Sequence, residues 1–132
     1  MVNQVFINLP VKNLKRSKEF FTHLGFRFNM QFTDDKAACL IIGQNIYAML
    51  LVEKFFKAFT RKAVANAKKS TEVLIAIDAE SREKVDEMIR RAVEAGGSVY
   101  MPPQDHGKMY SHSFADPDGH QWEILYMGLP PA

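Results

Sequence analysis

The apolar and polar positions of the chain repeat one pattern twice. Residues 5–11 (VFINLPV) read as a short strand that ends near Pro10. Asn13 then stands before Leu14, Phe20, Phe21 and Leu24, which recur at helical spacing, so a helix capped by Asn13 is expected. Gly25 is placed to stop it. Three strand-like runs follow, at 26–32, 38–42 and 46–52, separated by the turn-forming Thr33-Asp34-Asp35 and Gly43-Gln44-Asn45. This half reads β-α-β-β-β.

The second half repeats it. Residues 72–78 form a strand, Ser81 caps a helix buried through Val85, Met88, Ile89 and Ala92, and Gly96-Gly97 ends it. Short strands are expected at 98–101, 110–115 and 122–127. Such self-similarity, at a period of roughly 70 residues, points to an internal duplication. The expected fold class is α+β: two tandem βαβββ modules forming curved mixed sheets around a concave pocket, with the helices on the outer face. All 132 residues then make one domain, with module one at about 3–53, a connector at 54–70 and module two at 71–128.

Composition narrows the class. A hydrophobic fraction of 47% with 24% charged residues is that of a water-soluble domain able to bury a core. The net charge of +2 is too small to suggest nucleic acid as a partner. Cys39 is the single cysteine, which excludes an intramolecular disulfide and any multi-cysteine metal site; its apolar neighbours mark it as a core thiol. No apolar run approaches the ~20 residues that span a bilayer, so no membrane partner is expected. MVNQVFINLPV has no basic stretch leading into a long apolar one, so a cytoplasmic location without a signal peptide is expected.

The connector carries Lys54, Lys57, Arg61, Lys62, Lys68 and Lys69 around Phe55, Phe56 and Phe59. A solvated helical linker with docked aromatics explains it most simply, and a lid over a pocket or an anion-attracting rim is the alternative.

Chemistry concentrates near the C-terminus, in Asp116-Pro117-Asp118-Gly119-His120-Gln121-Trp122-Glu123. Asp-Pro and Asp-Gly make a tight turn, and the strand that follows carries one carboxylate, Glu123, among apolar neighbours. A carboxylate there must be paired, protonated, exposed or bound to a cation. Glu123 is the candidate catalytic residue, and on its own it could serve as a general base.

The duplicated βαβββ pattern, the opening NLPVKNLKRSKEFFTHLGF and the C-terminal DPDGHQWE resemble the vicinal oxygen chelate superfamily. That superfamily includes glyoxalase I, bleomycin-resistance proteins, fosfomycin-resistance enzymes and extradiol dioxygenases. The resemblance implies a divalent metal held by His, Glu or Gln from the first and last strands of each half. Carried over by position, Glu123 matches the metal-binding glutamate. The other three positions fall on Phe6, on Leu74 and near Met49 or Leu50, none of which coordinates a hard divalent ion. A shift of register would bring in Asn8 and Glu72 beside Glu123. The resemblance also implies a homodimer.

Strand alternation gives a second view of the same site. With Val5, Ile7 and Leu9 in the core, Phe6 and Asn8 face the concavity; with Val73, Ile75 and Ile77 in the core, Leu74 and Ala76 face it. Gln121, Glu123 and Leu125 also point inward, joined by Ser111 and Ser113 from the neighbouring strand. The expected ligand pocket is therefore Phe6, Asn8, Leu74, Ser111, Ser113, Gln121 and Leu125 around Glu123, with His106 on a loop at its mouth. His23 reads as a surface residue, His120 as part of the turn, and His112 as facing away from the pocket. No serine-hydrolase elbow, phosphate loop or dinucleotide fingerprint is present.

The sequence thus points to a glyoxalase/bleomycin-resistance-like protein that binds a small organic ligand, with a degenerate metal site and no cofactor. Stacking on Phe6 and pairing with Glu123 favour a flat, cationic ligand. Two alternatives stand beside it. One is a metal-dependent lyase or dioxygenase with Glu123 as a ligand; the other is a non-catalytic interaction module with a vestigial pocket. Whether the chain is an enzyme is left open by the residues.

Overall fold

The computed structural model describes residues 1–128, and the chain divides into two units, Met1–Ala65 and the part that starts at Asn66. The first unit runs β1 (Val5–Val11), α1 (Leu14–His23), β2 (Arg27–Asn29), β3 (Ala37–Gly43), β4 (Ile46–Val52) and a short α2 (Glu53–Phe56). Its sheet order is β1-β4-β3-β2, with β1 parallel to β4 and the other neighbours antiparallel. The second unit runs β5 (Leu74–Asp78), α3 (Arg82–Glu94), β6 (Gln104–Asp105), β7 (Met109–Ala115) and β8 (Gln121–Met127). Its order is β5-β8-β7-β6, with β5 parallel to β8. The α+β class and the duplicated βαβββ topology are as expected.

Local chemistry sets the helix starts. Asn13 Oδ1 accepts from the Arg16 amide at 3.0 Å, and Ser81 Oγ accepts from the Lys84 amide at 3.1 Å. Each cap satisfies a backbone donor that a first helical turn leaves open. Leu14, Phe20, Phe21 and Leu24 are buried as their spacing demands, as are Val85, Ile89 and Ala92. In each unit the helix covers one face of the sheet: α1 lies against β3 and β4, and α3 against β7 and β8. Trp122 and Phe114, both fully buried, stack at 6.3 Å in the second core. The opposite face of each sheet is the open one.

Four expectations need correction. The run 26–32 is a strand only to Asn29; the Asn29 side chain then accepts from the Gln31 amide and turns Met30–Phe32 into a 3-10 helix. The strand expected at 98–101 is reduced to one bridge, Ser98 with Ala115, and the edge strand is Gln104–Asp105 instead. Val99 and Met101 are exposed, so burial does not hold that segment, and Pro102-Pro103 restrict the backbone after it. Strand β5 begins at Leu74, leaving Glu72 and the 53%-exposed Val73 outside it. The connector is helical only over Glu53–Phe56 and a 3-10 turn at Lys57–Phe59. Beyond that, Asn66 organises a turn by accepting from the amides of Lys68, Lys69 and Ser70.

Candidate functional site

The open face of the first unit is built from alternate residues of three strands. Phe6 pairs with Tyr47 and Asn8 with Met49 across β1 and β4, and Met49 pairs with Cys39 of β3. Phe6 and Tyr47 stack at 5.0 Å with 15° between their planes. A cavity of about 470 Å³ opens on this face. Phe32 from the 3-10 helix lines it, as do Phe55 and Phe59, which meet edge to face at 5.1 Å. Ala37, Cys39 and Leu51, which line the same cavity, are buried. Burial pushes the Cys39 thiol above its ordinary range, so it stays protonated and inert as a nucleophile.

Polar groups on this face are three amides, the Tyr47 hydroxyl and the buried Cys39 thiol. Gln4, Asn8 and Asn29 line the cavity, and among its lining residues none is Asp, Glu, Lys, Arg or His. The Asn8 side chain is exposed and makes no hydrogen bond among the described residues.

In the second unit, Leu74 pairs with Gln121 and Ala76 with Glu123 across β5 and β8. Glu123 also pairs with Ser113, and Leu125 with Ser111, across β7 and β8. These residues share the open face, as the alternation predicts. Glu123 is half-buried, Ser113 is buried, and Leu74 is 52% exposed. Thr71 Oγ1 donates to Gln121 Oε1 at 2.7 Å, which orients that amide. His112 pairs with Ile124 on the helix side, where its Nε2 is buried and makes no hydrogen bond among the described residues.

His106 lies exposed in the turn between β6 and β7. That turn is tied to the start of α3: Arg82 donates to both carboxylate oxygens of Asp105, at 2.8 and 3.2 Å, and to the Gly107 carbonyl at 2.7 Å. The guanidinium also sits over the Tyr110 ring at 5.1 Å, and the Tyr110 hydroxyl donates to Asp86 at 2.6 Å. Arg82 and the Gly107 amide together hold the Asp105 carboxyl down at about 2. The clasp is therefore fully charged at neutral pH and fixes the His106 turn against α3.

The Asp116-Pro117-Asp118-Gly119 turn holds a residue whose role the sequence did not reveal. Asp116 is 6% exposed, and its Oδ1 accepts from the amides of Asp118 and His120, each at 3.0 Å. Its Oδ2 accepts from the buried indole N–H of Trp122 at 3.1 Å. Burial pushes this carboxyl up, against the pull of the His120 charge and the Trp122 hydrogen bond. Asp116 thus locks the turn onto the Trp122 side of β8.

The duplication lets the four positions that the resemblance assigns to a metal be placed in the structure. Phe6 and Leu74 stand at the same distance before the caps Asn13 and Ser81. Two residues further on, Asn8 pairs with Met49 and Ala76 pairs with Glu123, so Met49 is the counterpart of Glu123. The four positions are thus Phe6, Met49, Leu74 and Glu123: two that cannot coordinate, one soft thioether and one carboxylate. A hard divalent ion needs several oxygen or nitrogen donors, and these residues do not fit it. Among the described residues, no group of three or more His, Cys, Asp or Glu side chains is arranged to hold a metal ion. No helix among them is long and apolar enough to cross a membrane.

A βαβββ duplication with a carboxylate on the open face of its last strand defines a fold class, and comparison with known proteins gives the family. A model of the Glyoxalase/Bleomycin resistance protein/Dioxygenase superfamily matches residues 3–124, and the chain belongs to that family. Among solved structures, a hypothetical protein from S. aureus is 29% identical, with a TM-score of 0.82 over 96% of this chain and 94% of that one. A glyoxalase-related enzyme from Fulvimarina pelagi is 22% identical, with a TM-score of 0.83 over 98% and 92%. The fosfomycin resistance protein FosX from Mesorhizobium loti is 17% identical, with a TM-score of 0.68 over 96% and 93%. No curated protein matches the chain in sequence.

Proposed function

We propose that this family member binds a small organic molecule without a metal centre. The cavity on the open face of the first unit carries the proposal: about 470 Å³, walled by Phe6, Tyr47, Phe55 and Phe59, with a few amides among them. A mostly apolar hollow with sparse polar groups is the usual composition of a small-molecule site. Phe6 serves twice in this reading. It occupies a position where a metal ligand would be needed, and it offers an aromatic surface to a ligand instead. Leu74, Gln121, Glu123, Leu125, Ser111 and Ser113 would provide the second unit's ligand-facing surface, with Glu123 the charged group among these six. A metal-dependent lyase or dioxygenase is the competing reading, favoured by Glu123 at the family's glutamate position.

Thermal-shift screening of the full chain against flat organic compounds tests the proposal. At least one compound should raise the melting temperature in a dose-dependent way, because a ligand that binds only the folded state stabilises it. Phe6→Ala should weaken that compound about tenfold, or roughly 1.4 kcal/mol, through loss of ring contact. Phe6 is 51% exposed, so the substitution leaves the core intact. A library that stabilises nothing, or a ligand indifferent to Phe6→Ala, would count against it.

A further inference from the structure

From the lining of the first-unit cavity we infer that its ligand is an uncharged, flat aromatic molecule carrying amide-like hydrogen-bonding groups. This rests on the ligand-binding reading above and names the chemical class it left open. Three observations converge on it.

Charge is the first. None of the residues lining the cavity bears an ionisable acid or base other than Tyr47 and the buried Cys39, whose thiol stays protonated. An anion or cation entering this hollow would lose part of its hydration and meet no partner of opposite sign.

Ring geometry is the second. An aromatic cage for a cation turns several ring faces toward one point. Here the rings are paired with one another: Phe6 lies face to face with Tyr47, and Phe55 meets Phe59 at 82°. Paired rings present edges and outer faces, which suit stacking and edge contacts with another flat ring.

Hydrogen bonding is the third. Asn8 stands on the same face as Phe6, with its side-chain amide uncommitted among the described residues. An amide offers both a donor and an acceptor without charge. It matches a ring-borne carbonyl, carboxamide or lactam better than a carboxylate or an ammonium group. This differs from the cationic ligand that Phe6 and Glu123 suggest from sequence, because no carboxylate lines this cavity.

Three probes of one shape separate the possibilities: 2-naphthamide, 2-naphthoate and 2-naphthylmethylammonium. Each is titrated into the full chain by calorimetry, while the Met49 methyl resonance reports occupancy of the cavity. The neutral amide should bind at least tenfold more tightly than either ion and should shift Met49. Asn8→Asp, at an exposed position, should move the preference at least tenfold toward the cation. Phe59→Ala, at a 65%-exposed position, should weaken the amide about fivefold. An ion that binds as tightly as the amide and shifts Met49 would overturn the inference while leaving the ligand-binding reading intact. Ligands from the thermal screen that leave Met49 unmoved would place binding elsewhere and overturn the inference alone. If nothing binds in either experiment, both fall.

Discussion

Asp116→Ala should destabilise the protein by about 3 kcal/mol, although the residue touches neither cavity nor open face. Three donors lose their acceptor at once: the Trp122 indole N–H and the amides of Asp118 and His120. An unsatisfied buried donor costs roughly 1–3 kcal/mol, and the indole, on a fully buried ring, lies toward the upper end. Part of the loss is returned, because the wild-type protein bears the cost of burying a carboxyl, visible in its raised pKa. Asp116→Asn should recover only part of the stability. Whichever way that amide turns, its NH2 group faces either the indole N–H or the two backbone N–H groups. Urea denaturation followed by Trp122 fluorescence measures both variants. If Asp116→Ala unfolded at the wild-type midpoint, the turn would not be anchored as described.

Gly119→Ala should cost a comparable amount, about 2–4 kcal/mol, for two separable reasons. The backbone at Gly119 has φ = +94°, where an L side chain is strained by roughly 1 kcal/mol. A Cβ there would also lie 2.8 Å from the Ala67 carbonyl carbon and the Lys68 nitrogen. Those are backbone atoms of the Asn66 turn and can yield only by moving that segment, an overpacking cost of about 1–3 kcal/mol. Gly107→Ala is the control: its φ is +81°, but nothing lies within 4 Å of the added carbon. It should cost about 1 kcal/mol, the conformational share alone. Equal losses in the two variants would mean that the close approach between the turn and the connector contributes nothing.

These two positions show where sequence reasoning reaches its limit. Asp116 and Gly119 are legible as turn formers from their local chemistry. Their larger roles depend on partners that periodicity does not specify: a Trp indole on the next strand and the backbone of the connector. The duplicated topology was legible because it rests on repeated local signals, Asn13 with Ser81 and two sets of apolar helix positions. The open-face assignments of Phe6, Asn8, Leu74 and Glu123 were legible because strand alternation has a period of two, although Val5 and Val73, expected in the core, are exposed. The wall made by Phe55 and Phe59 was legible as docked aromatics or a lid, but not its exact place. Its aromatics sit in a basic, aperiodic stretch, and only the short α2 and its 3-10 continuation bring them over β4. The edge strand at Gln104–Asp105 escaped for a similar reason. It is two residues long, and its position is tied to Arg82 by a long-range ion pair.

Glu123 keeps the metal question sharp, since it is the one hard donor among the four positions that the resemblance assigns to a metal. Elemental analysis of freshly purified, untagged protein, repeated on Glu123→Ala, addresses it most directly. With Phe6, Met49 and Leu74 at the other three positions, both proteins should carry far less than one divalent ion per chain. A near-stoichiometric ion in the wild-type protein that disappears in Glu123→Ala would contradict this account and return the protein to the metal-dependent branch of its family.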